Sequence, residues 1–264
     1  MRLYSLRTEG RTALAVLCCL ALLAAGCAAP GKEDAATVVD RSLKALGGRD
    51  ALTGWKTQVS KGLMKTNRPG WGDLQADCTY LVEKPGKIVL DQDYSVFDHP
   101  FFFRYTYNDG DAWVMVNLGI RQNPRYTEML ADVLEKIDGF AYYAGHCDTL
   151  YAVPDTIPLA LPDSIGAGTG FDRIAFVEGA DTVYYDIDRK TRMPVHALDH
   201  NDQGGWNINL YDDFRRVGRI RMPFHEVMWY GGEKAREMLW NEITVDTPID
   251  PAEFEKNRPP KADA

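Results

Sequence analysis

The sequence predicts a mainly β protein, an antiparallel meander of about eleven strands with two or three helices. Three observations predict it. β-prone runs follow one another through residues 56–118 and again through 171–246. Turn signals separate them, as hairpins require: Asn67-Arg68-Pro69-Gly70, Lys84-Pro85-Gly86 and Asn108-Asp109-Gly110. No helical segment divides the strands of the first series, which argues against a doubly wound α/β sheet.

The chain opens on Arg2, Arg7 and Arg11, followed by an apolar run from Ala13 to Ala25. That run is shorter than the ~20 residues a membrane-spanning helix needs, so it reads as an export signal over residues 1–26. Leu22-Leu23-Ala24-Ala25-Gly26-Cys27 resembles a bacterial lipobox. The resemblance implies cleavage before Cys27, a diacylglyceryl thioether on its sulfur and acylation of the new amino terminus by chains such as palmitate. Several acyl chains give stable anchoring, at ~0.8 kcal/mol per buried methylene. The alternative is an ordinary secretory signal cut near the same place; either way the protein is exported. Ala28 follows the cysteine, and by family analogy the lack of an aspartate there fits retention at the periplasmic face of the outer membrane.

Cys18 and Cys19 leave with the signal and Cys27 carries lipid, so Cys78 and Cys147 remain. An oxidising compartment permits a disulfide between them; two buried free thiols are the equal alternative. Residues 1–26 carry a net +2, so removing them takes the chain from −8 to −10. An acidic chain lacks the clustered Lys and Arg of a nucleic-acid ligand, and attachment to anionic lipid must come from the acyl anchor. Roughly 235 residues remain, enough for one large β domain, and no later segment is long and apolar enough to span a membrane.

Residues 27–32 read as a tether, and a helix follows from Glu33, with Val39, Leu43 and Leu46 at helical spacing and Gly47-Gly48 as its stop. The first strand series is Lys56–Thr66, Asp73–Glu83, Lys87–Ser95, Phe101–Asn108 and Ala112–Leu118. Residues 119–170 interrupt the meander. Within them Tyr126–Tyr143 reads as one amphipathic helix whose apolar stripe is Met129, Leu130, Val133, Leu134, Ile137 and Phe140. A long insertion is more often a lid or binding loop than filler, which makes this helix the candidate lid. The meander resumes with Phe171–Glu178, Thr182–Asp188, Pro194–His200, Gly205–Phe214, Arg219–Tyr230 and Met238–Asp246. Residues 255–264 form a polar tail.

Several strands are apolar on both faces, among them Phe101-Phe102-Phe103 and Trp113-Val114-Met115-Val116, as in sheets covered on both sides or facing a cavity. Candidate cavity-lining residues are Phe101, Phe103, Trp113, Met115, Tyr185, Met222, Phe224 and Met228. Which face looks inward depends on register, since a slip of one residue inverts it.

Catalytic and metal signals are weak. His196 and His200 lie in a strand, where residues four apart stand ~13 Å apart, too far for one zinc ion. Asp186-Ile187-Asp188 continues into Arg189-Lys190-Thr191, which fits a polar hairpin turn better than a phosphatase aspartate pair. There is no Gly-x-Ser-x-Gly elbow, and Gly166-Ala167-Gly168-Thr169-Gly170 has no strand–helix context for a phosphate. No catalytic residue, metal or cofactor is expected.

From Glu33 to Phe254 the chain resembles the superfamily of the lipoprotein-localisation factors LolA and LolB. Three places carry the resemblance. The first helix ends Leu43-Lys44-Ala45-Leu46-Gly47-Gly48 and runs into Trp55. Asn108-Asp109-Gly110-Asp111-Ala112-Trp113 is similar to the family's Asp-Gly hairpin before a tryptophan. The third is a C-terminal series: Tyr185-Asp186-Ile187-Asp188, Pro194-Val195, Tyr211-Asp212-Asp213-Phe214-Arg215, Met222-Pro223-Phe224, and Ile243 through Asp250 to Phe254. The resemblance implies an open, incomplete antiparallel β-barrel wrapped around a hydrophobic cavity with a helical lid. It also implies a non-enzymatic protein that binds lipid or lipoprotein acyl chains for receipt, transfer or sorting. A packed barrel that docks an envelope protein partner is the alternative.

Overall fold

The computed structural model describes residues 33–68, 72–94, 101–117, 119–154, 170–200 and 205–256. The signal, Cys27, the tether and residues 257–264 of the tail lie outside the described residues.

Thirteen strands form one antiparallel sheet. In chain order they are β1 (Thr57–Arg68), β2 (Gly72–Glu83), β3 (Lys87–Tyr94), β4 (Phe101–Asn108), β5 (Asp111–Val116), β6 (Gly119–Arg121), β7 (Thr149–Ala152), β8 (Phe171–Glu178), β9 (Asp181–Asp188), β10 (Pro194–His200), β11 (Trp206–Val217), β12 (Ile220–Tyr230) and β13 (Glu233–Val245). Strands β1 to β6 form one meander and β7 to β13 another. The first strand pairs with the last, so the spatial order is β6-β5-β4-β3-β2-β1-β13-β12-β11-β10-β9-β8-β7. The sheet does not close; its two edges are β6 and β7.

The helices are α1 (Ala35–Leu46), α2 (Arg49–Gly54), α3 (Pro124–Glu135) and α4 (Phe140–His146), with a 3-10 turn, η1, at Pro251–Phe254. Residues 122–148 carry the chain from one sheet edge to the other, so α3 and α4 form a bridge between β6 and β7. Helix α3 packs on β3, β4 and β5, and α4 on β8 and α2.

Helix α1 buries Val38, Val39, Leu43 and Leu46, the stripe its spacing predicts, against β7, β8 and β12. Its end is a two-glycine stop. Gly48 N–H donates to Leu43 O at 2.8 Å and Gly47 N–H to Lys44 O at 3.2 Å, with φ of 125° at Gly47 and 95° at Gly48. Gly47 also lies against the β11–β12 turn; a Cβ there would sit 2.9 Å from Ile220 Cα.

Three expectations are corrected. The insertion adds two short strands, β6 and β7, that periodicity does not reveal because three or four residues hold too little pattern. Strand β13 starts at Glu233 rather than Met238, because Gly231 and Gly232, both at positive φ, make a tight hairpin turn. The helix expected over Tyr126–Tyr143 breaks into α3 and α4 at residues 136–139, where Gly139 has φ of 52°. Its apolar stripe narrows accordingly. Leu130, Leu134 and Phe140 are buried and Ile137 half-buried, whereas Met129 and Val133 are 44% and 40% exposed, a quarter-turn off the packed face.

Candidate functional site

Register decides which side chains share a face. Met64 on β1 is opposite Ala76 on β2 and Met238 on β13. Gly62 is opposite Cys78 and Trp240. Cys78 in turn is opposite Gln92 on β3, and Gln92 opposite Phe103 on β4. The face so defined also carries Val82, Ile88, Tyr105 and Tyr107, which pack into the helix-covered core. It is therefore the concave face of the curled sheet. A bulge between Lys61 and Gly62 keeps Trp240 and Ile243 both on it. Glycine is required there, since a Cβ at Gly62 would lie 2.8 Å from Trp240 Cα.

The concave face has two zones. One is filled by the helices. Phe140 sits with its ring 5.1 Å from Tyr185 and 5.6 Å from Phe176, with α1 packed alongside. The other is a second buried cluster, Met64, Leu74, Ala76, Cys78, Tyr94 and Met238, none more than 5% exposed, with the partly buried Phe101, Phe103 and Trp240 packed against it. Its aromatic rings meet edge to face, Phe101 to Phe103 at 4.9 Å and Tyr94 to Phe103 at 5.8 Å. Methionine and aromatic side chains make a wall that is apolar and adaptable in shape.

Polar groups stand between the zones. Trp240 donates its indole N–H to Glu226 Oε1 at 2.9 Å, and Tyr80 lies 6.4 Å from the Trp240 ring. Burial pushes the Tyr80 and Tyr211 phenols well above the ordinary tyrosine range, with Glu226 raising them and Arg236 lowering them. Burial also pushes the Cys78 thiol up to about 12, so this cysteine is protonated and unreactive. A cleft of about 760 Å³ opens near the end of α1, lined by Ala45, Met193, Val195, Tyr211 and Phe214, with Asp188, Lys190, Asp212, Asp213 and Arg221 also in its wall. Tyr211 thus belongs to both the cleft and the concave face.

The expected lining residues divide between the two sides of the sheet. Phe101 and Phe103 rim the methionine cluster. Tyr185, Met222 and Phe224 share the concave face but belong to the helix-filled zone. Met228 is concave, opposite Arg236. Trp113 and Met115 are a correction. They stand opposite Thr106 and Arg104, on the face turned away from the helices, because the concave positions of β5 are Ala112, Val114 and Val116. Cys78 and Cys147 are free thiols, one in the methionine cluster and the other at the end of α4. Cys78 is buried and Cys147 half-buried, so the two match neither the bridge nor a pair of buried thiols.

The remaining polar motifs do other work. Asp188 accepts hydrogen bonds from Lys190 N, Thr191 N and Thr191 Oγ1, which fixes a hairpin turn. Asp186 accepts from Arg173 at 2.6 and 2.7 Å and pairs with His196 at 3.0 Å. Burial raises its pKa, but these partners outweigh burial and hold it below the ordinary carboxylate value. His196 packs on Phe171 and His200 on Trp206, so the two histidines do not converge. Among the described residues no three His, Cys, Asp or Glu side chains are grouped to hold a metal ion.

Sequence reasoning missed Arg236, Glu226, Tyr80 and Tyr211. The signal for Arg236 was alternation along Arg236-Met238-Trp240, hidden because the strand was begun at Met238.

No family model matches the chain, and no curated protein matches it in sequence. Solved structures match it in shape. A LolA superfamily protein from Nitrosomonas europaea is 12% identical, with 85% of this chain and 99% of that one covered and a TM-score of 0.53. A DUF1329 family protein from Desulfovibrio piger is 11% identical, covering 85% and 98% with a TM-score of 0.51. The two share an architecture with this chain at an identity too low to carry residue roles. The open antiparallel sheet curled around its helices gives this chain the fold of LolA superfamily proteins.

Proposed function

We propose that this chain is a lipid-anchored envelope protein that binds lipid or lipoprotein acyl chains on the concave face of its sheet. It would receive, transfer or sort them at the periplasmic face of the outer membrane, without catalysis. The observation that carries this reading is the methionine and aromatic cluster of Met64, Leu74, Ala76, Cys78, Tyr94 and Met238, walled by Phe101, Phe103 and Trp240. An acyl chain exposed to water costs ~25 cal/mol per Å² of apolar surface, and such a wall removes that cost without a nucleophile. The α3–α4 bridge, running from edge to edge of the open sheet, is the element placed to act as a lid. The LolA-type fold and the lipobox-like Cys27 support the same reading.

Native mass spectrometry of the full chain carrying Cys27→Ser, purified without detergent and followed by organic extraction, tests it. A stoichiometric lipid or acyl species is the expected result. A protein that is empty and also refuses added phospholipid and lipopeptide would overturn it. A second reading, a packed barrel that docks a protein partner, is favoured by the exposed Met129 and Val133 side chains on the bridge.

A further inference from the structure

Four buried polar atoms share one patch of the face turned away from the helices. Asp91 on β3 is opposite Arg104 on β4, and Thr106 on β4 is opposite Trp113 on β5. Arg104 and Thr106 are two apart on one strand, so all four side chains stand on the convex face. Trp113 is the diagonal neighbour of Arg104, a span that aromatic and long side chains cross. Arg104, Thr106 and Trp113 are 1%, 0% and 4% exposed. Among the described residues Asp91 Oδ1, Arg104 Nε, Thr106 Oγ1 and Trp113 Nε1 have no hydrogen-bond partner, and all four atoms are shut off from solvent.

The other polar atoms of these groups are answered. Arg104 Nη1 donates to Asp91 Oδ2 at 2.9 Å, and Nη2 donates to the Glu253 carbonyl at 2.5 Å and its carboxylate at 3.3 Å. Those bonds fix the guanidinium and leave its Nε–H without an acceptor. Buried polar groups in folded proteins are almost always paired, and an unpaired one bears its full desolvation cost.

The chemistry of the patch selects what pairs them. Arg104 Nε and Trp113 Nε1 only donate, Asp91 Oδ1 accepts, and the Thr106 hydroxyl can accept. An anion would face Asp91, a metal ion would face the guanidinium, and a hydrocarbon would pair with nothing. Water offers two lone pairs and two O–H donors, and a buried spot with two to four polar partners is where internal water is held. Through two bonds of ~2.8 Å, a bridging water joins polar atoms that stand ~5–6 Å apart.

We propose that an internal water molecule is built into this face, accepting from Arg104 Nε and Trp113 Nε1 and donating to Asp91 Oδ1 and Thr106 Oγ1. It ties β3, β4 and β5 together beside η1, the turn that Arg104 holds through Glu253. It also gives Trp113 a part as a donor on the convex face. The site is separate from the concave face and does not depend on acyl binding.

A crystal structure of the full chain carrying Cys27→Ser, grown at neutral pH, tests it. The expected result is one ordered water peak within ~2.7–3.2 Å of all four atoms. Thr106→Ser keeps the hydroxyl and keeps the peak, whereas Thr106→Val weakens it. In solution, the Trp113 indole N–H, assigned by its loss in Trp113→Phe, shows a nuclear Overhauser effect to a water held longer than surface hydration. The four atoms bonded directly to one another, a dry patch, or an indole without water contact would overturn the proposal.

Discussion

Lys84, in the β2–β3 turn, pairs with Asp138, in the break between α3 and α4, at 2.5 Å, and its ammonium lies 3.7 Å from the centre of the Trp55 ring. The two side chains are only 14% and 16% exposed. The pair pins the middle of the bridge to the rim of the sheet. Burial lowers the Lys84 pKa and Asp138 raises it, with burial the larger effect.

Asp138→Asn should therefore loosen the bridge. Lys84 keeps the Thr53 carbonyl at 3.3 Å and the Trp55 ring, but it loses its counter-charge. The expected cost is about 1–3 kcal/mol, felt mainly as local opening. Hydrogen exchange checks it: amides of α3 and α4 should lose protection while those of β1 and β13 keep theirs. Unchanged protection in the bridge would contradict the pinning.

Arg104 does comparable work on the opposite face of the sheet. It is 1% exposed, it donates to Asp91 at 2.9 Å, and it reaches both the carbonyl and the carboxylate of Glu253, at 2.5 and 3.3 Å. These bonds dock η1, whose Phe254 packs on Leu81 and Val89. Arg104→Met removes the cation paired with Asp91 and the donor to Glu253, and should cost about 3–5 kcal/mol. Urea denaturation measures this. A loss under about 1 kcal/mol would mean that η1 is held by Phe254 alone.

Asp91 gives stability a pH dependence of unusual sign. Burial raises its pKa to about 6 against the pull of Arg104, and its Oδ1 is buried without a partner among the described residues. The folded protein holds a proton that the unfolded chain releases near its ordinary value of 3.8. Its contribution is fully present below that value and is lost as pH rises through about 6. Asp186, Asp188 and Glu237, held below their ordinary values, contribute the opposite way and lose stability as pH falls. The wild-type melting temperature minus that of Asp91→Asn should decline from about pH 4 to about pH 7. A flat difference would contradict the raised pKa.

Gly47→Ala tests the seat of α1. The positive φ disfavours any Cβ, and the added atom would meet the backbone of Arg219 and Ile220. A loss of about 2–3 kcal/mol is expected by chemical denaturation, with α1 amides exchanging faster. Gly48→Ala shares the backbone penalty but meets open space, so it should cost less. Equal losses would show that conformation alone, not the close approach to the β11–β12 turn, sets the cost.

Long elements were legible in the sequence because their patterns repeat. The stripe of α1 with its two-glycine stop fixes that helix, and the Asn108-Asp109-Gly110 turn fixes the β4–β5 hairpin. The short edge strands β6 and β7 were not legible, since three and four residues carry almost no periodicity. Nor was the face of each strand. Trp113 and Met115 read as well for the concave side as for the convex one, because β5 is apolar on both and only pairing with β4 decides. The polar groups on the concave face were hidden for a related reason. Arg236 and Glu226 read as ordinary exposed charges until the pairing of β12 with β13 turns both to the concave face, Glu226 against the Trp240 indole.

An acyl chain bound on the concave face would lie against the methionine cluster of β1, β2 and β13. Photo-crosslinking with a diazirine-bearing palmitate, followed by peptide mapping, tests it most directly. Crosslinks at Met64, Cys78 and Met238, competed away by unlabelled palmitate, are the predicted result. Crosslinks confined to convex positions such as Trp113 and Met115, or none that competitor removes, would contradict it.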